Sequence, residues 1–180
     1  MLGEGPHSVS DSSVLVVEED PYMANLLATV ITDLSAKWVV TAHSRGEAEE
    51  YLSKGRIDVV ILDWMKHTGR GLDLVRFIRT STDSPDQEIP VVLCTARRGY
   101  DDIVSARDVG VSEVLAKPFS HGEVAAKLKA ALMRKRRFIR SDIYTGPDRR
   151  RKSRGPQGEE RRNRQGLTQD EIDILMKEFG

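Results

Sequence analysis

One cysteine, Cys94, is all that this 180-residue chain contains. No internal disulfide can form, so the fold depends on a buried core, and a reducing compartment suits it. Aromatic residues make up 6% of the chain, two tryptophans among them, which points to an aliphatic core. No apolar run approaches the roughly 18 residues of a membrane-spanning helix. The opening residues also lack the apolar stretch of a signal peptide. The expectation is a cytoplasmic protein with no membrane partner. Net charge is missing too, since 28 Lys and Arg balance 28 Asp and Glu.

That balance conceals a segregation. Residues 1–133 carry 14 basic and 20 acidic side chains, net −6. Residues 134–166 carry 13 against 4, net +9, and residues 167–180 carry 1 against 4, net −3. A basic belt between acidic segments implies a polyanionic ligand, or docking of the belt on its own domain when no ligand is present. Composition divides the chain in the same way. A polar, flexible lead covers 1–12 and a compact domain covers 13–133. An arginine-rich, largely disordered segment covers 134–166, and a short amphipathic helix covers 167–180. From Tyr144 to Arg164 the apolar content is too low to build a core.

Within the domain, Val14-Leu15-Val16-Val17 and Val59-Val60-Ile61-Leu62 are continuous apolar runs, as are Val91 to Thr95 and Val114 to Ala116. Runs this short and this apolar suit strands buried on both faces of a parallel sheet. Trp38 to Ala42 supplies one more. Helical patterns alternate with them. Pro21 suits a first helical turn, ahead of an apolar face of Met23, Leu26, Leu27, Val30, Ile31 and Leu34. Ser44 and Glu47 have capping-box spacing, as do Ser120 and Glu123. Gly71 precedes Leu72, Leu74, Val75, Phe77 and Ile78, and a helix over about 99–109 stops at Gly110. The last helix carries Val124, Ala125, Leu128, Ala131 and Leu132. Five strands alternating with five helices predict a doubly wound α/β domain with a five-stranded parallel sheet. Ligands of such folds sit beyond the carboxyl ends of the strands.

That edge is where the chemistry-bearing residues collect. Strand ends one, three, four and five deliver Glu18 and Glu19, Asp63, Thr95 and Lys117. Clustered carboxylates repel unless a hard cation sits among them, and Mg²⁺ accepts a few carboxylate oxygens plus waters. With the metal in place, Asp63 can act as a nucleophile toward phosphorus. The hydroxyl of Thr95 and the ammonium of Lys117 can then hold the new phosphoryl oxygens.

These residues resemble the CheY-like receiver domains of bacterial two-component signalling. The resemblance rests on Glu18-Glu19, on Asp63 in Ile-Leu-Asp, on Gly71 eight positions later, on Thr95-Ala96 and on Lys117-Pro118-Phe119. It implies a CheY-like fold and phosphorylation of Asp63 by a histidine kinase. It also implies Mg²⁺ at Glu18, Glu19, Asp63 and Met65, and a cis peptide before Pro118. Three departures stand out. Glu19 replaces the usual Asp and is one methylene longer. The loop Trp64 to Arg70 lacks the usual Pro and Asp. Val114 stands where an aromatic switch residue is usual.

The basic belt has a pattern of its own. Tyr144-Thr145-Gly146-Pro147-Asp148-Arg149-Arg150-Arg151-Lys152-Ser153-Arg154 sets a turn and a carboxylate directly before consecutive guanidinium groups. A looser echo follows in Gly155-Pro156 and Glu159-Glu160-Arg161-Arg162. An acid beside arginines weakens the field that a bare phosphate backbone would feel. It suits guanine, whose N–H edge can donate to a carboxylate while Arg takes the O6/N7 edge.

The segment from Arg137 to Arg154 is similar to the arginine-rich extension of the CheY-like cyclic-di-GMP effectors, the Cle proteins. The similarity implies that Arg137, Arg140, Asp142, Tyr144, Gly146, Pro147, Asp148, Arg149, Arg150, Arg151 and Arg154 bind cyclic di-GMP, as a stacked dimer. It further implies action at the flagellar motor, with recruitment to the flagellated pole. Leu167-Thr168-Gln169-Asp170-Glu171-Ile172 has a capping box and a hydrophobic staple. It resembles the peptide by which the flagellar switch protein FliM engages CheY, so FliM is an expected partner, the alternative being a terminal helix that packs on its own domain. The reading is a non-enzymatic adaptor responsive to cyclic di-GMP. The alternatives are a phosphorylation-driven regulator with a passive tail and a nucleic-acid binder. A sequence-specific nucleic-acid partner is disfavoured by the interleaved acids and by the lack of a DNA-reading fold.

Overall fold

A computed structural model describes residues 8–63, 71–96, 99–133, 138–141 and 143–148. The elements are β1 (Ser13–Val17), α1 (Pro21–Asp33), β2 (Trp38–Ala42), α2 (Arg45–Ser53), β3 (Val59–Asp63) and α3 (Gly71–Thr80). They continue with β4 (Val91–Thr95), α4 (Tyr100–Val109), β5 (Glu113–Ala116), α5 (His121–Met133), β6 (Phe138–Ser141) and β7 (Tyr144–Pro147). The first five strands form one parallel sheet in the order β2-β1-β3-β4-β5. The five-stranded doubly wound fold expected from the apolar runs is therefore present.

The runs work as strands because both faces of the sheet are covered. Leu15, Val17, Val60, Leu62, Val91 and Leu93 join a core with α2, α3 and α4. Val14, Val16, Val59, Ile61, Val92 and Cys94 join the other with α1 and α5. Burying each such aliphatic side chain stabilises the fold by about 1.5–3 kcal/mol. The Cys94 thiol is buried, and burial pushes its pKa up to about 12, so it is inert as a nucleophile.

Helix starts follow the expected chemistry with two adjustments. Ser120 and Glu123 close a full capping box, the Ser120 amide donating to Glu123 Oε2 at 2.7 Å and the Glu123 amide to Ser120 Oγ at 3.3 Å. At α2 the Glu47 amide donates to Ser44 Oγ, but the Glu47 carboxylate reaches the amide of His43 rather than that of Ser44. The N-cap of α1 is Asp20, whose carboxylate accepts from the amides of Tyr22 and Met23. Leu26, expected on the buried face of α1, is 44% exposed, and Ala24, Leu27 and Ile31 line the core instead.

The larger difference lies past α5. The basic segment was expected to have no fold of its own, yet β6 and β7 form an antiparallel hairpin with Phe138 paired to Pro147 and Ser141 to Tyr144. The hairpin packs on α3 and α4. Its seat is Arg79, buried to 1% exposure at the end of α3. The Nε of Arg79 donates to the Gly110 carbonyl at 3.0 Å, and Nη1 donates to those of Gln87 and Ile89 at 2.7 and 2.8 Å. Its guanidinium lies 5.7 Å from the Phe138 ring.

Candidate functional site

Strand register builds the first site. Val17 pairs with Leu62, Asp63 with Cys94, and Thr95 with Ala116. The chain therefore leaves β1, β3, β4 and β5 at one level, and Glu18, Asp63, Thr95 and Lys117 meet at one edge. The sheet order reverses between β1 and β3, so this edge is also the crevice where such folds bind ligands. The Lys117–Pro118 peptide is cis, as the family resemblance implied.

Lys117 joins the acids. Its Nζ lies 3.0 Å from Asp63 Oδ1 and 3.3 Å from Glu18 Oε2. Its amide donates to the Thr95 carbonyl at 2.8 Å, tying β5 to β4 at the site. Burial works against the Lys117 ammonium. Asp63 and Glu18 outweigh that effect and hold its pKa above that of ordinary lysine. The Glu18 carboxyl is 5% exposed. Burial, reinforced by the charge of Asp63 and opposed by the Asp20 amide and Lys117, raises its pKa above the usual glutamate value.

Two supporting residues were not singled out from the sequence. The Asp20 amide donates to Glu18 Oε1 at 3.1 Å while its side chain caps α1, so one residue sets both the helix and the acid. His43 Nδ1 lies 3.0 Å from the Glu18 carbonyl, which can only accept, so that ring nitrogen carries the proton. The Asp-Pro pair at a helix start could have revealed the first of these. No sequence pattern marks the second.

Two carboxylates facing one ammonium leave surplus buried negative charge, and hard oxygen donors suit Mg²⁺. The donor set therefore fits that ion, with Glu18, Glu19 and Asp63 as the side chains that would hold it. Met65 lies outside the described residues. Among the described residues no three Asp, Glu, His or Cys side chains are already gathered for a metal. Lys117 instead bridges Glu18 and Asp63.

This imbalance predicts a pH effect. Between pH 4.5 and its raised folded pKa, Glu18 holds more proton in the native than in the unfolded state. Stability must then fall as pH rises through that window. Glu18→Gln should flatten this part of a urea-midpoint profile measured from pH 4 to 7. An unchanged slope would place the charge imbalance elsewhere.

The second group lies at the opposite edge. Gln87 and Ile89 precede β4 and Gly110 precedes β5, so the hairpin seated on them is at the amino ends of the strands. Of the expected tail-site residues, Arg140, Tyr144, Gly146, Pro147 and Asp148 are described, and all belong to the hairpin or its exit. Tyr144 is half-buried and its hydroxyl donates to the Pro147 carbonyl at 2.8 Å. Gly146 is buried. Arg140 lies 3.3 Å from Glu88 Oε1, in an exposed pair, and 5.6 Å from the Phe138 ring. Arg137, Asp142, Arg149, Arg150, Arg151 and Arg154 lie outside the described residues, as does the whole segment 167–180.

Known proteins match the part of the chain that carries the first site. The response regulator receiver domain family matches residues 14–129. The virulence transcriptional regulatory protein PhoP of Salmonella typhimurium is 34% identical over 134 residues, 74% of this chain and 57% of that protein. The phosphate regulon transcriptional regulatory protein PhoB of Escherichia coli is 30% identical over 121 residues, 67% of this chain and 52% of that protein. The chain thus spans about half the length of the curated relatives it matches. A putative response regulator from Chloroflexus aurantiacus superposes with a TM-score of 0.63 at 25% identity, covering 69% of this chain and 99% of that one. Vibrio cholerae chemotaxis protein CheY4 gives 0.62 at 23% identity, covering 68% and 99%. At that identity it is a likeness of fold.

Proposed function

The chain belongs to the response regulator receiver domain family. From that premise we propose that it is a signalling adaptor with two inputs. One is phosphorylation of Asp63 by a histidine kinase. The other is cyclic di-GMP, bound as a stacked dimer by the arginine-rich tail. Its output is exerted on the flagellar motor, through FliM.

For the first input, an Asp63 carboxylate oxygen attacks the phosphorus of a phosphohistidine. The P–O bond forms as the P–N bond breaks, and the imidazole leaves and takes up a proton from solvent. Bound Mg²⁺ supplies charge neutralisation for the phosphoryl oxygens, and Glu18, Glu19 and Asp63 would hold it. Lys117, 3.0 Å from Asp63 Oδ1, is placed to turn from the carboxylate to a phosphoryl oxygen.

For the second input, the observation that carries the reading is the hairpin. Tyr144 to Pro147 form an ordered strand whose tyrosine hydroxyl is closed on Pro147. Asp148 and the arginines after it therefore start from a fixed point on the receiver, which lowers the ordering cost of binding. Their carboxylate-plus-guanidinium chemistry supports guanine over a bare phosphate chain.

Calorimetry with cyclic di-GMP, GTP and short DNA tests this. Arg149→Ala and Arg150→Ala should each cost a factor of about ten to a hundred in cyclic-di-GMP affinity, the worth of one bidentate guanine contact. Asp148→Ala should weaken a guanine site and tighten a plain polyanion site. Unchanged affinity in both arginine variants would remove the tail as the binding site. The intact Asp63–Lys117 pair favours a second reading, in which phosphorylation alone drives the output and the tail is passive. Absence of nucleotide binding by the wild-type chain would select it, and preference for DNA would select nucleic acid.

A further inference from the structure

The hairpin seat is more closely built than a tail resting on a surface requires. The C-cap of α4 is Gly110, in the left-handed region at φ 102°. There a side chain would be strained, and a Cβ would also press within 3.2 Å of Arg79 Cγ and Nε. Gly146 of β7 lies against the same point. A Cβ on Gly146 would sit 3.1 Å from Gly110 Cα and 2.5 Å from the Tyr144 hydroxyl. With a buried guanidinium bonded beside them, the two glycines make a junction where an added side chain would have to displace Arg79 at one position and Tyr144 and Gly110 at the other.

What this junction holds is the carboxyl end of α4, a helix that otherwise rests on α3 and on a small apolar footing with Val109 at its edge. Only Ile103 and Ala106 of that ten-residue helix are buried. Its N-cap is Gly99, with no side-chain cap hydrogen bond, at the end nearer Thr95. Its other end is closed by the Gly110 amide on the Arg107 carbonyl at 3.0 Å and the Val111 amide on the Ala106 carbonyl at 3.1 Å. Arg79 takes the Gly110 carbonyl, and β7 packs across α3 and α4. A weakly buried helix belongs to the low-stability part of a fold, and its opening is governed by whatever pins its end.

We propose that the β6–β7 hairpin is a brace for α4. Through the Arg79–Gly110–Gly146 junction it couples the chain leading into the arginine run to the receiver, so that whatever tightens or pulls on β7 also tightens or loosens the last turn of α4. Arg79 is then a positioning residue for both partners. It bonds α4 at Gly110 and faces the hairpin at Phe138, at the edge of the sheet opposite Asp63. The coupling itself is a property of the ligand-free chain. Its use by cyclic di-GMP rests on the function proposed above.

The test uses residue-resolved amide exchange on the full chain and on Gly146→Ala. Gly146 lies outside the five-stranded sheet, and retention of the receiver fold is checked by circular dichroism. Without nucleotide, the variant should lose protection in the hairpin strands. The Gly110 and Val111 amides should lose it in step, by about tenfold or more. Loss confined to the hairpin would overturn the brace. A hairpin that stays protected would also overturn it, because Gly146 would not be its seat. With cyclic di-GMP, wild type should gain protection at Gly110 and Val111, and the variant should lose that gain. Heat of binding without this gain would likewise overturn the coupling. If wild type binds no nucleotide, the proposed second input fails while the brace is decided by the ligand-free comparison.

Discussion

Asp63→Ala should abolish phosphate incorporation from acetyl phosphate or a cognate kinase, while leaving cyclic-di-GMP affinity within a factor of a few of wild type. The first part follows from chemistry. Among the residues the sheet gathers at this edge, Asp63 is the carboxylate at the end of β3, its Oδ1 held 3.0 Å from Lys117. On the proposed reading Lys117 and Thr95 would stabilise an acyl phosphate, and neither can replace the lost oxygen nucleophile. The second part follows from architecture. The phosphorylation edge lies at the carboxyl ends of the strands, and the hairpin that launches the arginine run lies at their amino ends. Coupling between sites is typically about 1–3 kcal/mol, so a variant that only removes the phosphoryl acceptor leaves the tail's own contacts in place. Phosphate incorporation is read by intact mass and nucleotide affinity by calorimetry. Labelling that survives in Asp63→Ala would move the acceptor elsewhere. A hundredfold loss of nucleotide affinity would mean that Asp63 belongs to the nucleotide site or controls it.

The edge that gathers Glu18, Asp63, Thr95 and Lys117 was legible in the sequence because these residues follow short, unbroken aliphatic runs. A strand such as Val59–Asp63, buried along its length, announces both itself and the place where it stops. The structure at the start of the tail was not legible. Phe138, Ile139 and Tyr144 are too few and too interleaved with arginine to read as strands, yet they lie in two strands paired from Phe138–Pro147 to Ser141–Tyr144. The reason lies outside the segment. A short isolated hairpin is marginal in water, and this one is held by Arg79, which the helical pattern of α3 presents as one more solvent cation. Gly110 was read as a helix stop, which it is. Its second role as a landing point for Gly146 depends on a contact between residues far apart in the chain, and no local pattern encodes that. Asp20 was passed over for a similar reason, since an acid within an acidic run looks like charge and not like a cap.

Arg79→Met should therefore cost about 3–5 kcal/mol of stability, a fall of roughly 10 °C or more in the thermal midpoint. Methionine keeps most of the apolar stem, so lost packing is a minor part of that figure. The larger part is polar. The carbonyls of Gly110, Gln87 and Ile89 each accept from the guanidinium, and with methionine there they lose that donor. A buried acceptor left without a partner costs about 1–3 kcal/mol. Two terms oppose the loss. Burial lowers the Arg79 pKa to about 10 against the pull of Tyr144, Asp86 and Glu88, so the arginine remains charged at neutral pH and its desolvation cost disappears on substitution. Its Nη2 is also buried without a hydrogen-bond partner. These offsets keep the estimate below the sum of the three bonds. The pattern of loss is as informative as its size. The loop before β4, the end of α4 and the hairpin all converge on this guanidinium, so protection of the Ile89, Gly110 and Tyr144 amides should fall together while that of the β1 and β3 amides falls by global stability alone. A variant as stable as wild type, with the hairpin still protected, would show that Phe138 and the glycine contact hold the hairpin without the arginine.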